Sequence, residues 1–215
     1  MIAVIPGNDF ELTRLEPIIR ELASRNFDYI IVINKEAGTP GRVHSFSSES
    51  MHNADHELYR TIETDDGTTT ADMIGSIENV FRMHTPEVAL ISGDSDYALA
   101  AAIVAAKKGS RPAHIEAGLR NYNRSDQSEI NRVIIDRISH YLFALDVTAR
   151  ENLVGEGIDE SRISVFGNTD GTEWWAPDTR NRFIPAWIIV TILQGAYQNL
   201  YSGVSGTGQA SPMKE

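Results

Sequence analysis

The chain has no cysteine among its 215 residues. Disulfides, zinc–thiolate sites and thiol catalysis are thereby excluded, and the composition fits a reducing compartment. Positive charge is scarce as well: 19 Lys and Arg stand against 30 Asp and Glu, a formal net charge of −11 at pH 7. That balance excludes a general binder of nucleic acid or of an anionic membrane, because both need a basic face. An anionic ligand would have to be held by a few local arginines. There is also no long hydrophobic run. The most apolar stretch, Phe183 to Tyr197, falls short of the roughly 20 residues a membrane helix needs, and it contains Pro185, Gln194 and Gly195. It reads as a buried or interface helix. Met1 to Gly7 lacks the basic start of a signal peptide and reads as a first core strand. The expectation is a cytoplasmic chain with no membrane or nucleic-acid partner.

What is present is a regular alternation. Apolar runs at Ile2–Ile5, Tyr29–Ile33, Val88–Ile91, Ala113–Ile115, Leu142–Leu145 and Ile163–Phe166 read as buried strands. Between them lie helical patterns at Asp9–Ser24, Thr69–Met83, Asp96–Lys108, Asp126–His140 and Thr148–Gly155. The segment Glu36–Asp66 is polar and rich in Gly, Ser and His, and reads as a long loop with at most one short helix. Strands alternating with helices at this spacing predict an α/β fold, a doubly wound parallel sheet covered on both faces. Composition changes after Pro177. We therefore expect a main domain over residues 1–176 and a helical segment with a polar tail over residues 177–215.

In an open parallel sheet, ligands bind beyond the carboxyl ends of the strands. Here those ends carry Pro6-Gly7-Asn8-Asp9, Ser92-Gly93-Asp94-Ser95-Asp96, Glu116-Ala117-Gly118-Leu119-Arg120 and Gly167-Asn168-Thr169. Small residues, acids and a base gather on one edge. Asp94 and Glu116 each follow a core strand directly. On neighbouring strands, two such carboxylates can divide acid and base roles when their surroundings separate their pKa values. A purely architectural alternative stands beside this one: Asp94 caps the next helix, and Glu116 pairs with Arg120. His114 lies two residues before Glu116, so strand alternation puts both side chains on one face, and His114 itself reads as a packed residue. His52 and His56 have the spacing of a helical metal site but lack a clear third ligand. No GxGxxG, P-loop or GxSxG pattern is present.

Read in order, Ser92-Gly93-Asp94-Ser95, His114-Ile115-Glu116-Ala117-Gly118-Leu119-Arg120, Glu129-Ile130-Asn131-Arg132, Asn152-Leu153 with Gly155-Glu156-Gly157, and Gly167-Asn168-Thr169 form a set. The set resembles the N-terminal domain of the UDP-N-acetylglucosamine 2-epimerase family, whose motifs run in the same order at nearly the same spacing. The match is strong over residues 85–172 and weak over residues 1–25. The resemblance implies one half of a glycosyltransferase-B architecture, in which two Rossmann-like domains enclose a nucleotide sugar. It implies conversion of UDP-N-acetylglucosamine to UDP-N-acetylmannosamine by removal of the C2 proton, loss of UDP and re-addition of UDP, or, in a hydrolysing branch, release of the free sugar. By the match, Asp94, Glu116 and Glu129 would be the catalytic carboxylates, and Arg14, Gly7, Arg120 and Asn168 would bind substrate. Arg14 stands in for a lysine beside the diphosphate. No metal or cofactor is implied.

The sequence departs from the family pattern in three places. Asp9 stands where a phosphate-binding arginine belongs, and Ser128 stands where a further catalytic glutamate belongs. After Gly167-Asn168-Thr169 only some forty-odd residues remain, where the family has a whole UDP-binding domain, yet Tyr201–Ser211 resembles the family's closing segment. The expectation is an epimerase-type protein that uses a second chain or a second copy to complete its site. The alternative is an inactive relative that serves as a binding or interaction module.

Overall fold

The computed structural model describes residues 1–34, 61–64, 69–165 and 189–195, without the side chains of residues 9, 10, 13 and 61–64. An interior strand of its sheet is β1, Ile2–Pro6, buried along its whole length. Strands that run as continuous apolar stretches belong in the middle of parallel sheets, where helices cover both faces. Among the described residues the sheet has seven strands in the order β3-β2-β1-β4-β5-β6-β7. The other strands are β2 (Tyr29–Asn34), β3 (Thr61–Thr64), β4 (Val88–Ser92), β5 (Arg111–Ala117), β6 (Tyr141–Ala144) and β7 (Ile163–Val165). All neighbours pair in parallel.

The alternation predicted from sequence accounts for every strand except β3. Thr61–Thr64 falls inside the segment read as a loop. Its four residues, TIET, are too short and too polar to register as a buried strand, and among the described residues it pairs with β2 alone. A short polar strand at a sheet edge is one of the ways proteins blunt an exposed ladder.

Five helices connect the strands: α1 (Asp9–Ser24), α2 (Thr70–His84), α3 (Asp96–Lys108), α4 (Gln127–Ile138) and α5 (Val147–Gly155). Each begins on a side chain that accepts a backbone N–H, namely Asn8, Thr69, Ser95, Asp126 and Asp146 in turn. One face of the sheet presents Ile2, Val4, Ile31, Leu90 and Ile115 to Leu15, Ile18, Ile19 and Leu22 of α1. Ile189, Val190 and Leu193, from the apolar run noted above, join that layer. The other face presents Ala3, Ile5, Ile30, Val32, Ala89 and Ile91 to α2 and α3. Burying each of these large side chains contributes about 1.5–3 kcal/mol. Period-2 alternation in the strands therefore sorts residues cleanly between two cores.

That sorting matters because the chain must leave each strand into a tight turn. After β5 the turn is Gly118, at φ 87, and a Cβ built there would stand 2.3 Å from the carbonyl oxygen of Ala149 in α5. Gly109 has a similar φ of 82 but open space around it. Equilibrium denaturant unfolding of Gly109→Ala should show a loss of about 1 kcal/mol, the backbone cost of the left-handed region. Gly118→Ala should lose about 3 kcal/mol or more, because α5 has to move aside. Equal losses at the two positions would mean that the β5–α5 contact is looser than described.

Candidate functional site

The residues that matter sit where strand alternation breaks. Along β5, Ala113 and Ile115 face α1, and His114 faces α4. Continued alternation would put Glu116 beside His114. The pairing with β6 slips instead: Ile115 lies opposite Phe143 and Ala117 opposite Ala144, so Glu116 is an extra residue. Its φ is 65, in the left-handed region that a non-glycine residue enters at a cost. This β-bulge overturns the expectation of a shared face. Glu116 turns to the α1 side and meets Arg14, whose Nη1 donates to Glu116 Oε2 at 2.9 Å, while Nη2 forms a close ion pair with Oε1. Bulges re-aim a side chain in this way next to active sites.

Arg14 is shared. Its Nη1 also lies 3.6 Å from Glu11 Oε1, and Glu11 Oε2 accepts a 2.5 Å hydrogen bond from Ser92 Oγ at the end of β4. Burial pushes the Glu116 carboxyl above its ordinary pKa; Arg14 works against that rise and Glu11 adds to it. Gly7 closes this corner. Its amide donates to Ser92 O at 2.9 Å, its carbonyl accepts from Ser95 Oγ at 3.0 Å, and a Cβ there would stand 2.9 Å from Ser95 Oγ. Only glycine lets the β1 and β4 turns approach this closely.

On the other face, Asp136 of α4 is 0% exposed and gathers three donors. His114 Nδ1 meets Oδ1 at 2.6 Å, and the Gly118 amide and Arg120 Nη1 donate to Oδ2 at 3.0 and 2.8 Å. Burial alone would raise the Asp136 pKa, but His114 and Arg120 more than offset it, and the carboxyl is held below its ordinary range. Arg120 also makes a bidentate bond to Glu156, at 2.7 Å to each oxygen, and donates to Leu119 O at 2.7 Å. Its side chain is 1% exposed. The guanidinium is spent on the fold, and the expected pairing of Arg120 with Glu116 is replaced by one with Asp136 and Glu156.

The third group is centred on Arg132. It pairs with Asp94 through Nη1 and with Glu129 through Nε at 3.2 Å and Nη2 at 3.0 Å. Glu129 also accepts from the amides of Asn121, at 3.1 Å, and Tyr122, at 2.9 Å. Burial would raise the Glu129 carboxyl, but those amides and Arg132 hold it below its ordinary value. Asp94 is not the helix cap: Ser95 caps α3, accepting from Ala98 N at 3.2 Å. Asn131 Nδ2 binds the Asp94 carbonyl at 2.9 Å, which fixes the turn that carries the carboxylate.

Of the residues singled out from sequence, Gly7, Arg14, Asp94, Glu116 and Glu129 thus lie on the carboxyl edge of the sheet, on β5, in the turns after β1 and β4, and on α1 and α4. Arg120 is turned inward. Asn168, His52, His56 and the Asp9 side chain lie outside the described residues. Glu11, Ser92 and Arg132 were given no role from sequence. The signal for Glu11 was there: it shares a helical stripe with Leu15, Ile18 and Leu22, an acid where an apolar residue belongs. Among the described residues, no group of three or more His, Asp or Glu is placed to hold a metal ion, and no helix is long and apolar enough to cross a membrane. An open depression of about 610 Å³ lies elsewhere, on the outer side of α4 beside Ile130, Val133 and Ile134. Its lining includes Glu129 and Glu156 but not Glu11, Asp94, Glu116 or Asp136, so the acid–base groups and not this hollow define the site.

A family model described as UDP-N-acetylglucosamine 2-epimerase matches residues 21–183. The chain is 38% identical over 169 residues to the UDP-N-acetylglucosamine 2-epimerase of Methanocaldococcus jannaschii, covering 78% of this chain and 46% of that one. It is 35% identical over 168 residues to the enzyme of the same name from Methanococcus maripaludis, covering 78% and 45%. A crystal structure of the M. jannaschii enzyme in complex with UDP-GlcNAc and UDP matches with a TM-score of 0.67 at 37% identity, over 78% of this chain and 46% of that one. The chain therefore spans about half the length of the relatives it matches.

Asp136 and Glu116 should respond oppositely to neutralisation. Asp136 has a depressed folded pKa, so its stabilisation is present above the unfolded carboxyl range and is lost as pH falls through the folded value. Asp136→Asn should cost about 3 kcal/mol at pH 7, since it leaves Arg120 and His114 under-compensated. Glu116 has a raised pKa, so its stabilisation is present below the unfolded range and is lost as pH rises through the folded value. Above that value its ionised form is a cost, and there Glu116→Gln should unfold at an equal or higher denaturant concentration than the parent. A large loss in Glu116→Gln would contradict this assignment.

Proposed function

The chain belongs to the UDP-N-acetylglucosamine 2-epimerase family, and on that footing we propose that it carries the acid–base half of a UDP-N-acetylhexosamine 2-epimerase site. The observation that carries the reading is the bulged, left-handed Glu116, set beside Arg14 with its pKa raised. A base for a weakly acidic C–H proton works best with a pKa lifted toward neutrality. In the proposed reaction Glu116 takes the C2 proton. The C1–O bond to UDP then breaks, its electron pair leaves with the diphosphate, and a C1–C2 double bond remains. UDP adds back to C1 as a proton reaches the opposite face of C2 from Asp94, which has taken that proton from solvent, and Glu116 gives its own proton up to solvent.

Arg14 is the cation for the departing diphosphate, a charge that appears as the bond breaks and is best met by a donor already in place. Gly7 lets the β1–α1 turn come close to it. Glu129 acts through Arg132, holding that guanidinium against Asp94, since its own oxygens are filled by two amides and Arg132. Arg120 braces the β5–α4 connection. Asn168 completes the sugar contacts, and residues outside this chain, from a second copy or a second protein, supply the nucleotide-facing half.

A second reading, a binding module without turnover, is favoured by one feature: the Arg14–Glu116 ion pair closes the proposed base onto the proposed phosphate ligand. One experiment separates the two. The chain is incubated with UDP-N-acetylglucosamine in deuterated water and C2 is followed by NMR. Deuterium should enter at C2, and the rate should fall by about 10²–10⁴-fold in Glu116→Gln and Asp94→Asn. UDP binding without any exchange supports the binding module, and neither binding nor exchange sinks the epimerase reading for this chain.

A further inference from the structure

We infer that Glu11 is a positioning residue for Glu116: it shares the Arg14 guanidinium with Glu116 and is itself tied to the end of β4 through Ser92. This rests on the reading of Glu116 as the base. The same Arg14 Nη1 that donates to Glu116 Oε2 at 2.9 Å faces Glu11 Oε1 at 3.6 Å. Ser92 Oγ donates to the other Glu11 oxygen at 2.5 Å. Glu11 is buried and packs under the next turn, where a Cβ on Gly93 would stand 3.0 Å from its Cγ. One side chain thus joins α1, the end of β4 and the base on β5.

The charges facing Glu116 are Arg14 and Glu11 from α1 and His114 from its own strand. Arg14 and His114 favour its ionised form, and Glu11 opposes it. With two carboxylates on one guanidinium, Glu116 is only partly compensated, which keeps it basic. Arg14 in turn divides its charge between the two carboxylates. Without Glu11 more of that charge would act on Glu116, and the base would weaken.

The test is an NMR titration of the Glu116 side-chain carboxyl in the full chain, with Glu11→Gln and Ser92→Ala beside the parent. Glu11→Gln keeps the shape and an acceptor oxygen for Ser92, so the fold is retained. Its Glu116 midpoint should move to lower pH. Ser92→Ala removes the hydrogen bond and no charge, and should leave the midpoint in place. No movement in Glu11→Gln, or the same movement in both variants, overturns the inference, the second outcome because it reduces Glu11 to packing. The titration needs no substrate. Absence of deuterium exchange with a Glu11-dependent midpoint therefore rejects the epimerase reading and leaves the Glu11 coupling standing, whereas exchange with a midpoint indifferent to Glu11 does the reverse.

Discussion

The carboxylate of Asp136 is the fastening on which the edge of this sheet depends. It is fully buried, and an isolated charge there would be prohibitively costly. It is tolerated because His114, the Gly118 amide and Arg120 converge on it. Those three donors lie within seven residues of one another, on either side of Glu116. The chain is therefore pinned to α4 before and after the bulge, and Glu116, between the pins, is free to point the other way. A left-handed glutamate costs of order 1–3 kcal/mol, and such conformations persist only where the surroundings over-determine them. Here they do: Gly118 has no room for a side chain, Asn152 Nδ2 holds its carbonyl at 3.0 Å, and Arg120 anchors the exit to Glu156.

The arrangement divides labour between the two faces of the sheet. On the α4 side the polar groups are satisfied and carry stability. On the α1 side two carboxylates, Glu116 and Glu11, share the one guanidinium of Arg14. α4 reflects this division in its own sequence. Beside the core residue Ile135 it buries Glu129, Asn131 and Asp136, and it leaves Ile130, Val133 and Ile134 exposed, a partial inversion of an ordinary surface helix. A helix that turns its polar residues inward is organising a site as well as covering a sheet.

This inversion also explains what could and could not be read from sequence. The strands and helices were legible because apolar runs and helical spacing report burial directly, and six of the seven strands declare themselves that way. β3 did not, because an edge strand of four residues, three of them polar, carries no such pattern. The carboxyl-edge location of Asp94 and Glu116 followed from topology alone. Their partners did not follow. Alternation placed Glu116 with His114 and suggested Arg120 as its counter-ion, and a single inserted residue sent it across the sheet to Arg14. Ser95 takes the capping role suggested for Asp94, which is left to Arg132. Family resemblance supplied the residue types of the site; the bulge and the sharing of Arg14 between Glu11 and Glu116 are backbone and packing events that those residue types do not spell out.

The central claim, that the Asp136 fastening holds the bulge, is tested most directly by native-state hydrogen exchange of the Gly118 amide. A donor bonded to a buried carboxylate at the centre of the assembly opens only with the whole domain. The account predicts that Gly118 exchanges at the rate of global unfolding, alongside the amides of β1. Exchange at the rate of a surface loop, with β1 still protected, would show that the segment carrying Glu116 opens on its own and would contradict it.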